Sequence, residues 1–426
     1  MRIHFIGIGG IGVSALAQYY LAKGHEISGS DLESSEITEF LDKKGIKVFI
    51  GQKPENVSAD LDLIIYSPAV PQDNPEFKKA KELGVRMKSY PGALGELTEQ
   101  HYTIAVSGSH GKSTTTAMVG LILERAGFDP TVIVGTKLKE FGNFNFRAGK
   151  SKYLVIEACE YDGSFLNYSP QIIVVTNVDK EHLDYFKTFS NVKKAFKKFM
   201  MRLPAGGFLV ANKEDENMPK ITNNQFSSFY YATNQKEADV LRKVLKIPGM
   251  HNISNALAAL AVARILKVPD DISFKTLGKY KGSWRRFEII KNKPYTIISD
   301  YAHHPNEILA TLTAAREKYP NKKIWCVFQP HQHQRTHYLF NDFVKVFRRL
   351  PIDNIIITDI YDVAGRETKK INEEVNSQKL AKKINKKSVL YMNVEKAEKF
   401  VKENIKKGEL LIIMGAGDIY KLTAKF

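Results

Sequence analysis

The sequence predicts an α/β protein of three domains, with mostly parallel β-sheets covered by helices. Predicted strands and helices alternate along the chain, which is the pattern of parallel sheets with helices on both faces. The length of 426 residues corresponds to about three domains of ordinary size. In two places a cluster of glycines separates an apolar strand from a helix. We expect the domains to span residues 1–98, 99–281 and 282–426.

Short apolar runs bounded by turn residues carry the strand predictions. The first domain is expected to hold strands at 2–6, 26–30 and 61–66 and helices at 13–22, 74–83 and 93–100. The second is expected to hold strands at 102–106, 153–156 and 172–176, a helix that ends near 126, and helices at 191–201 and 249–268. In the third we expect strands at 296–299, 324–328, 355–358 and 410–414, separated by helices.

The composition favours a protein that acts on small molecules in the cytoplasm. No apolar run approaches the roughly 18 residues of a membrane span, and glycines interrupt the apolar start, so we expect neither a membrane segment nor a signal peptide. Two distant cysteines fit a reducing compartment. The formal charge of +17 invites a nucleic-acid interpretation, but lysines on amphipathic helices such as 191–199 and anionic small substrates explain it better.

The first glycine cluster is Gly7-Ile8-Gly9-Gly10-Ile11-Gly12, with the spacing G-x-G-x-x-G. Glycines allow the backbone to approach a diphosphate, and the start of the following helix supplies amide hydrogens. Asp31 follows about twenty residues later, where an acid can bind a ribose hydroxyl. Taken alone, this cluster is compatible with a nicotinamide-dependent oxidoreductase, and it does not specify the diphosphate compound.

The second cluster, Gly108-Ser109-His110-Gly111-Lys112-Ser113-Thr114, predicts a phosphate-binding loop for a nucleoside triphosphate. Lys112 can neutralise the β- and γ-phosphates, and the Ser113 hydroxyl is placed to bind magnesium. The longer form of this motif has glycine where this chain has Val106, which shortens the loop without removing its functional residues.

An acid and a histidine follow the next two predicted strands. Glu157 ends the strand at 153–156, with Glu160 and Asp162 nearby, and His182 follows the strand at 172–176. Such groups at neighbouring strand ends can hold one or two magnesium ions over a transferred phosphate. The histidines at 303, 304, 331, 333 and 337 could suggest zinc, but no cysteine or acidic set with zinc spacing accompanies them.

With these motifs in order, the chain resembles the Mur ligases of peptidoglycan synthesis from Ile6 to Tyr420. The resemblance rests on both glycine clusters and on further segments: Glu157-Ala158-Cys159-Glu160-Tyr161-Asp162, Thr176-Asn177 to His182, Gly249-Met250-His251-Asn252-Ile253-Ser254-Asn255-Ala256, Arg285-Arg286-Phe287-Glu288, Asp300-Tyr301-Ala302-His303-His304-Pro305, and Phe328-Gln329-Pro330-His331 with Arg335-Thr336. It implies a Rossmann-like UDP-binding domain, a central P-loop ATPase-type domain and a Rossmann-like C-terminal domain that closes over the substrates.

The resemblance also implies an activity and a site. The enzyme would use ATP and Mg²⁺ to join an amino acid, expected to be L-alanine, to the lactyl carboxylate of UDP-N-acetylmuramate through an acyl phosphate. ATP would be bound by residues 108–114, which include Gly108, Ser109, His110, Gly111 and Thr114, and by His251, Asn252, Asn255 and Asp300. The UDP-sugar would be bound by Gly9, Gly10, Ile11, Gly12, Asp31, Ser67, His331 and Arg335. Magnesium would be bound by Ser113, Glu157 and His182, and the catalytic residues would be Lys112, Glu157, His182 and Arg335.

The chain departs from the family pattern at a few positions. Ser109 and Ser113 stand where threonine is more usual, Cys159 stands where aspartate is usual, and Glu181 replaces an aspartate before His182. Cys159 therefore removes one carboxylate from the site that the resemblance implies. Gly415-Ala416-Gly417-Asp418 looks like a third glycine loop but is expected to end a strand of the last domain.

Two alternatives from other classes and one within the family remain open. An oxidoreductase leaves Lys112 and the predicted metal ligands unexplained. A basic nucleic-acid binder with an ATPase domain rests on charge alone. A ligase that recycles a preformed murein tripeptide shares most motifs, and the segment from Phe328 to His331 with Arg335 favours single amino-acid addition over it.

Overall fold

The computed structural model describes residues 1–222, 226–362 and 374–426, and strands and helices alternate along them as predicted. The strands are β1 (Arg2–Ile6), β2 (Glu26–Asp31), β3 (Lys47–Ile50), β4 (Leu63–Tyr66), β5 (Met87–Ser89), β6 (Tyr102–Ser107), β7 (Thr131–Leu138), β8 (Phe144–Arg147), β9 (Tyr153–Glu157), β10 (Ile172–Val175), β11 (Phe208–Asn212), β12 (Ser227–Tyr231), β13 (Glu288–Lys291), β14 (Thr296–Asp300), β15 (Ile324–Phe328), β16 (Asn354–Ile357), β17 (Val389–Tyr391) and β18 (Leu410–Met414).

The α-helices are α1 (Ile11–Ala22), α2 (Glu36–Lys43), α3 (Pro75–Glu82), α4 (Tyr90–Glu99), α5 (Lys112–Arg125), α6 (Leu183–Phe186), α7 (Phe189–Met200), α8 (Met218–Ile221), α9 (Lys236–Val244), α10 (Met250–Ile265), α11 (Asp270–Leu277), α12 (Pro305–Lys318), α13 (His333–Tyr338), α14 (Phe340–Arg349), α15 (Ser377–Ile384) and α16 (Val394–Asn404). Among the described residues, none of these helices is both long enough and apolar enough to span a membrane.

The chain divides into two units, each with its own internal contacts. The first comprises Met1–Asp179, Ser190–Gln235 and Asn255–Leu277, and the second comprises Lys180–Phe189, Lys236–Ser254 and Gly278–Phe426. Of the sheets in the described ranges, two lie in the first unit and one lies in the second.

The N-terminal sheet of the first unit is parallel throughout, with strand order β3-β2-β1-β4-β5. Ile3, Phe5 and Ile6 of β1 are fully buried, as expected for a strand covered on both faces. The chain order reverses between β1 and β4, and ligands of open α/β sheets bind in the crevice at such a reversal. The glycine loop after β1 and the loop at Ser67 after β4 therefore lie at the expected ligand position.

The second sheet of the first unit has the order β12-β11-β10-β6-β9-β7-β8 and is parallel except for β8, which pairs antiparallel with β7. Strand β6 lies between β10 and β9. The phosphate loop after β6, Glu157 at the end of β9 and Thr176 after β10 consequently meet at one edge, because parallel strands have their carboxyl ends together.

The sheet of the second unit has the order β13-β14-β18-β15-β16-β17, and only β13 runs antiparallel to its neighbour. Cys326, Phe328 and Ile412 lie in its fully buried core. The carboxyl ends of β14, β18 and β15 bring together Asp300, the loop after Met414 and the loop after Phe328.

Several helices and strands match the predictions, but eight strands of the described residues were not predicted, including the eight-residue interior strand β7. The strands at 324–328 and 410–414 are confirmed residue for residue, and the helix expected at 249–268 is α10. The unpredicted strands are β3, β5, β7, β8, β11, β12, β13 and β17. The loop at Gly415 does follow a strand, as predicted. The boundaries near 98 and 281 stay predictions.

Candidate active site

The loop between β6 and α5 is shaped to surround a phosphate group. Gly108 and Gly111 have φ values of +133° and +83°, which residues with a Cβ rarely adopt. These glycines let the backbone turn between Ser107 and Lys112, where α5 begins. N–H groups at a helix start have no carbonyl partner inside the helix and bind anions well. The predicted phosphate-loop conformation is therefore present.

The segment after β10 holds this loop in place. Thr176 Oγ1 donates a hydrogen bond to the His110 carbonyl at 2.6 Å. The Asn177 side chain donates to the same carbonyl at 3.0 Å and accepts from the His110 N–H at 2.9 Å. The Ser109 N–H donates to the Asn177 carbonyl at 3.0 Å, and His110 Nε2 lies 3.0 Å from Asp179 Oδ2. A loop restrained in this way needs little ordering when a ligand binds.

The ammonium group of Lys112 is held beside the loop by one carboxylate and two carbonyls. Its Nζ donates to Glu160 Oε2 at 3.0 Å, to the Gly108 carbonyl at 2.6 Å and to the Ser109 carbonyl at 3.2 Å. Burial alone would lower the pKa of Lys112, but the neighbouring acids, led by Glu160, raise that pKa above its ordinary value. Lys112 is therefore charged at neutral pH, and its three donor hydrogens are directed at Glu160 and two loop carbonyls.

Glu157 is anchored at the end of β9 by a backbone donor. Its Oε2 accepts a hydrogen bond from the Gly135 N–H on β7 at 2.8 Å. Ser113 is the second residue of α5, and its side chain is buried. Burial raises the pKa of Cys159 to about 12, so this side chain is a neutral thiol at pH 7. The departure at Cys159 therefore removes a negative charge from the segment that holds Glu157 and Glu160.

The N-terminal glycine loop makes two close approaches that only glycine allows. A Cβ on Gly12 would lie 2.7 Å from the Tyr90 hydroxyl oxygen, and a Cβ on Gly7 would lie 3.0 Å from Ser67 Cβ. Asp31 Oδ2 accepts a hydrogen bond from the Gly9 N–H at 2.8 Å. The structure thus brings Asp31 and Ser67 to the glycine loop, as the sequence predicts.

Arg335 and Glu181 form a buried ion pair in the second unit. Arg335 Nη2 donates to Glu181 Oε1 at 2.7 Å, and Nη1 lies 3.0 Å from His331 Nδ1, which must accept because arginine only donates. Burial tends to raise the pKa of Glu181, but Arg335 and the histidines His304, His182 and His303 hold it well below the ordinary value. Glu181, one of the departures, is therefore an ionised partner of a predicted substrate ligand.

The remaining predicted residues of the second unit have defined surroundings. His182 immediately precedes α6 and has a φ of +54°. Desolvation lowers the pKa of His251 to about 4, so its ring is neutral at pH 7. Asn252 Nδ2 donates to the Pro248 carbonyl at 2.7 Å. Asp300 accepts from the Phe287 N–H at 2.7 Å and from the Ala302 N–H at 2.8 Å, so each of its carboxylate oxygens already accepts a backbone hydrogen bond.

Within the first unit, the Asn255 side chain lies against Gly111, next to Lys112 and Ser113, and Glu157 is an electrostatic neighbour of Lys112. His182, His251, Asn252, Asp300, His331 and Arg335 belong to the second unit. Sequence reasoning did not assign the partner of Lys112, which is Glu160, or the partner of Arg335, which is Glu181. It noted both acids, but nothing in the spacing indicated the pairing.

Sequence models of one family match nearly the whole chain in three consecutive parts. They are the Mur ligase family, catalytic domain, over residues 2–102, the Mur ligase middle domain over 106–263, and the Mur ligase, glutamate ligase domain, over 285–417. The chain belongs to the Mur ligase family. The two phosphate-type glycine loops fall in the first and second of these matches.

Two relatives within the Mur ligase family match over the full length. The chain is 41% identical to the UDP-N-acetylmuramate–L-alanine ligase of Acetivibrio thermocellus, with 100% of this chain and 95% of that protein covered. It is 42% identical to the ligase of the same name from Caldanaerobacter subterraneus subsp. tengcongensis, with 100% of this chain and 97% of that protein covered.

Solved structures of Mur ligases have the same fold. The UDP-N-acetylmuramate–alanine ligase of Thermotoga maritima aligns with a TM-score of 0.82 at 28% identity, covering 100% of this chain and 98% of that one. A murein peptide ligase of Psychrobacter arcticus aligns with a TM-score of 0.74 at 22% identity, covering 100% and 98%. The second likeness concerns the fold alone.

Proposed function

We propose that this Mur ligase joins L-alanine to the lactyl carboxylate of UDP-N-acetylmuramate, with cleavage of ATP to ADP and phosphate. One observation carries the proposal: a single unit contains two glycine loops, each at the carboxyl end of a parallel strand. Only the second loop is followed by a lysine, Lys112. An oxidoreductase needs only the first loop. A ligase that activates a nucleotide-linked carboxylate needs both. The full-length relatives named above support the same substrates.

The second loop is the proposed ATP site. Its N–H groups would surround the phosphates, and the Lys112 ammonium, now hydrogen-bonded to two loop carbonyls and Glu160, would turn part of its donor capacity to the γ-phosphate. Preorganised donors of this kind stabilise the charge of a transferring phosphoryl group. The predicted ATP roles of His110, Thr114, His251, Asn252, Asn255 and Asp300 belong to this proposal.

The donor set fits a magnesium ion. The Ser113 hydroxyl and the Glu157 carboxylate are oxygen ligands, which Mg²⁺ prefers, and Glu157 is held in place by the Gly135 N–H. His182, from the second unit, is the third proposed ligand. When bound, the ion would neutralise charge on the phosphate oxygens.

The first loop is the proposed site of the UDP diphosphate. Gly9 and Gly10 would let the backbone approach it closely, Ile11 and Gly12 would present backbone N–H groups to it, and Ser67 lies across the crevice next to Gly7. Asp31 would face the ribose. In the second unit, His331 and Arg335 are proposed to bind substrate, and the ion pair with Glu181 fixes the direction of the Arg335 side chain.

The reaction would proceed in two steps. A lactyl carboxylate oxygen attacks the γ-phosphorus, the bond to ADP breaks, and an acyl phosphate forms. The alanine amino group then attacks the acyl carbon, loses a proton, and expels phosphate to leave an amide. Alignment of the reactants and neutralisation of charge would supply most of the acceleration. We place this reaction in the cytoplasm, and neither cysteine forms a disulfide.

Amino-acid-dependent phosphate release tests the proposal. The purified chain is incubated with ATP, Mg²⁺ and UDP-N-acetylmuramate, and then with alanine, glycine, serine or a murein tripeptide. We expect phosphate release to depend on both the sugar nucleotide and alanine. Release with the tripeptide alone would replace the proposal by the recycling ligase. Hydride transfer with NADH and no phosphate release would replace it by an oxidoreductase.

A further inference from the structure

A buried asparagine connects the hairpin β7–β8 to the first turn of α1, the helix that follows the N-terminal glycine loop. Asn145 lies on β8 and is 2% exposed. Its Nδ2 donates to the Ile11 carbonyl and to Ser14 Oγ, the latter at 3.1 Å. Its Oδ1 accepts from Gln18 Nε2 at 3.1 Å. One side chain therefore contacts three successive turns of the α1 face.

The Ile11 carbonyl matters because it belongs to the same peptide group as the Gly12 N–H. A trans peptide is planar, and its C=O and N–H point in opposite directions. Gly12 is in the first turn of α1, where N–H groups have no partner inside the helix. A donor held on the Ile11 carbonyl therefore fixes the direction of the Gly12 N–H, and it polarises that group toward an anion.

The hydrogen bonds around Asn145 support this positioning. Ser14 Oγ donates to the same Ile11 carbonyl at 2.9 Å, and Gln18 Nε2 also donates to the Ser14 carbonyl at 3.1 Å. Ser14 is fully buried and Gln18 is 9% exposed. The network is thus shielded from water, and Asn145 is its only member from outside α1 among these contacts.

The hairpin that carries Asn145 also holds the proposed metal ligand. On β7, the Gly135 N–H donates to Glu157 Oε2 at 2.8 Å, and Ile133 of β7 pairs with Phe146 of β8, the residue after Asn145. The first turn of α1 and the Glu157 carboxylate therefore both accept hydrogen bonds from this hairpin.

We propose that Asn145 is a positioning residue for the UDP-sugar. Through the Ile11 carbonyl it aims the Gly12 N–H at the diphosphate, and through its hairpin it fixes that loop relative to Glu157. This inference rests on the proposed function, because it takes the UDP-sugar as the ligand of the first glycine loop.

Two substitutions separate hydrogen-bond donation from packing. Asn145→Ala removes the donor and some volume. Asn145→Asp keeps the size and shape but offers the Ile11 carbonyl a carboxylate, which cannot donate when ionised. If donation matters, both variants should raise the KM for UDP-N-acetylmuramate about tenfold, the effect of one hydrogen bond of ordinary strength. The KM for ATP should stay within about twofold.

The matched control breaks a contact between the same hairpin and the N-terminal sheet region without touching α1. Lys137 Nζ pairs with Glu36 Oε2 at 2.5 Å, and the Glu36 side chain is 67% exposed. Glu36→Gln should leave both KM values unchanged. If this control shifts the KM for the UDP-sugar as Asn145→Ala does, general loosening of the hairpin explains the effect and the inference is overturned.

Equilibrium titration of UDP into each protein completes the test, because it does not depend on ligation. We expect the Kd for UDP to rise about tenfold in both Asn145 variants, measured at a temperature well below the unfolding midpoint of each protein. An Asn145→Asp variant that binds UDP like the wild type would overturn the inference, since packing alone would then suffice. A wild-type chain that does not bind UDP would instead overturn the proposed function.

Discussion

Substitution of Lys112 should damage stability and activity through two separable effects. Its Nζ lies 3.0 Å from Glu160 Oε2, and the two side chains are 12% and 0% exposed. At this separation and an effective dielectric constant of about 20, the attraction is about 5 kcal/mol before desolvation is subtracted. Breaking a buried pair by removing one partner typically costs about 3–5 kcal/mol. We expect Lys112→Ala to lower the free energy of unfolding of the first unit by about 3 kcal/mol.

The double variant Lys112→Ala/Glu160→Gln isolates the catalytic effect. With the Glu160 charge removed as well, the buried site no longer holds a carboxylate without its ammonium partner, and most of the lost stability should return. Amino-acid-dependent phosphate release should remain at least about a hundredfold below wild type in both variants, because the charge that faces the γ-phosphate is still absent. Thermal unfolding midpoints and phosphate release are measured on the same preparations.

The outcome that refutes this reasoning is recovery of activity together with stability in the double variant. Lys112 would then serve only to hold Glu160 and the loop. Wild-type turnover in Lys112→Ala would likewise remove its assignment to the phosphates.

Three further predictions concern the second unit and the phosphate loop. Arg335 keeps the pKa of Glu181 below its ordinary value of 4.5, so the stability that Glu181 contributes should be complete above pH 4.5 and lost as the pH falls further. The thermal unfolding midpoint of Glu181→Gln should therefore be lower than that of the wild type at pH 7, and the difference should shrink in acid. Burial lowers the pKa of His303 to about 4, so between pH 6.5 and 4 the unfolded chain takes up a proton that the native chain does not. The wild type should therefore lose stability over this range, and His303→Gln should lose less. The same dependence of unfolding free energy on pH in both proteins would contradict this. Gly108→Ala should abolish ligase activity because its Cβ would meet Thr176 Oγ1. Gly24→Ala also places a Cβ at a positive φ, of +82°, but with nothing within 4 Å of it; this variant should lose only about 1 kcal/mol of stability and keep its phosphate release.

The phosphate loop and the elements around it could be predicted because their signals are local. An apolar strand, glycines at fixed spacing and a following helix are contiguous in the sequence, and the structure has β6, the loop and α5 in that order. Glu157 ends a neighbouring strand, as predicted, because a short apolar run leads directly into it.

The partners of these residues could not be predicted because their contacts are long-range. Arg335 and Glu181 are 154 residues apart, and Asn145 reaches Ile11 across 134 residues. Glu160 turns back to Lys112 in a segment where Asp162 and Gly163 both adopt positive φ, a conformation that the sequence pattern did not indicate. Strand β8 was missed although Gly142 and Asn143, both with positive φ, form the turn before it.

Asp31 and Asp300 show a different limit of sequence reasoning. Both are acids at strand ends, the position from which ribose contacts were predicted. In the structure Asp31 accepts from the Gly9 N–H, and Asp300 accepts from the N–H groups of Phe287 and Ala302. The sequence showed that an acid ends each of these strands. It did not show which backbone N–H groups donate to the two carboxylates, because those contacts depend on the folded loops. Their ribose contacts stay predictions.

Transfer of oxygen from the sugar nucleotide to phosphate tests the central claim most directly. UDP-N-acetylmuramate labelled with ¹⁸O in both lactyl carboxylate oxygens is incubated with the chain, ATP, Mg²⁺ and L-alanine, and the released phosphate is examined by mass spectrometry. An acyl phosphate places one labelled oxygen in each phosphate and leaves the other in the amide. Unlabelled phosphate, with an amide product or without one, would contradict the assignment of this chain as a carboxylate-activating ligase.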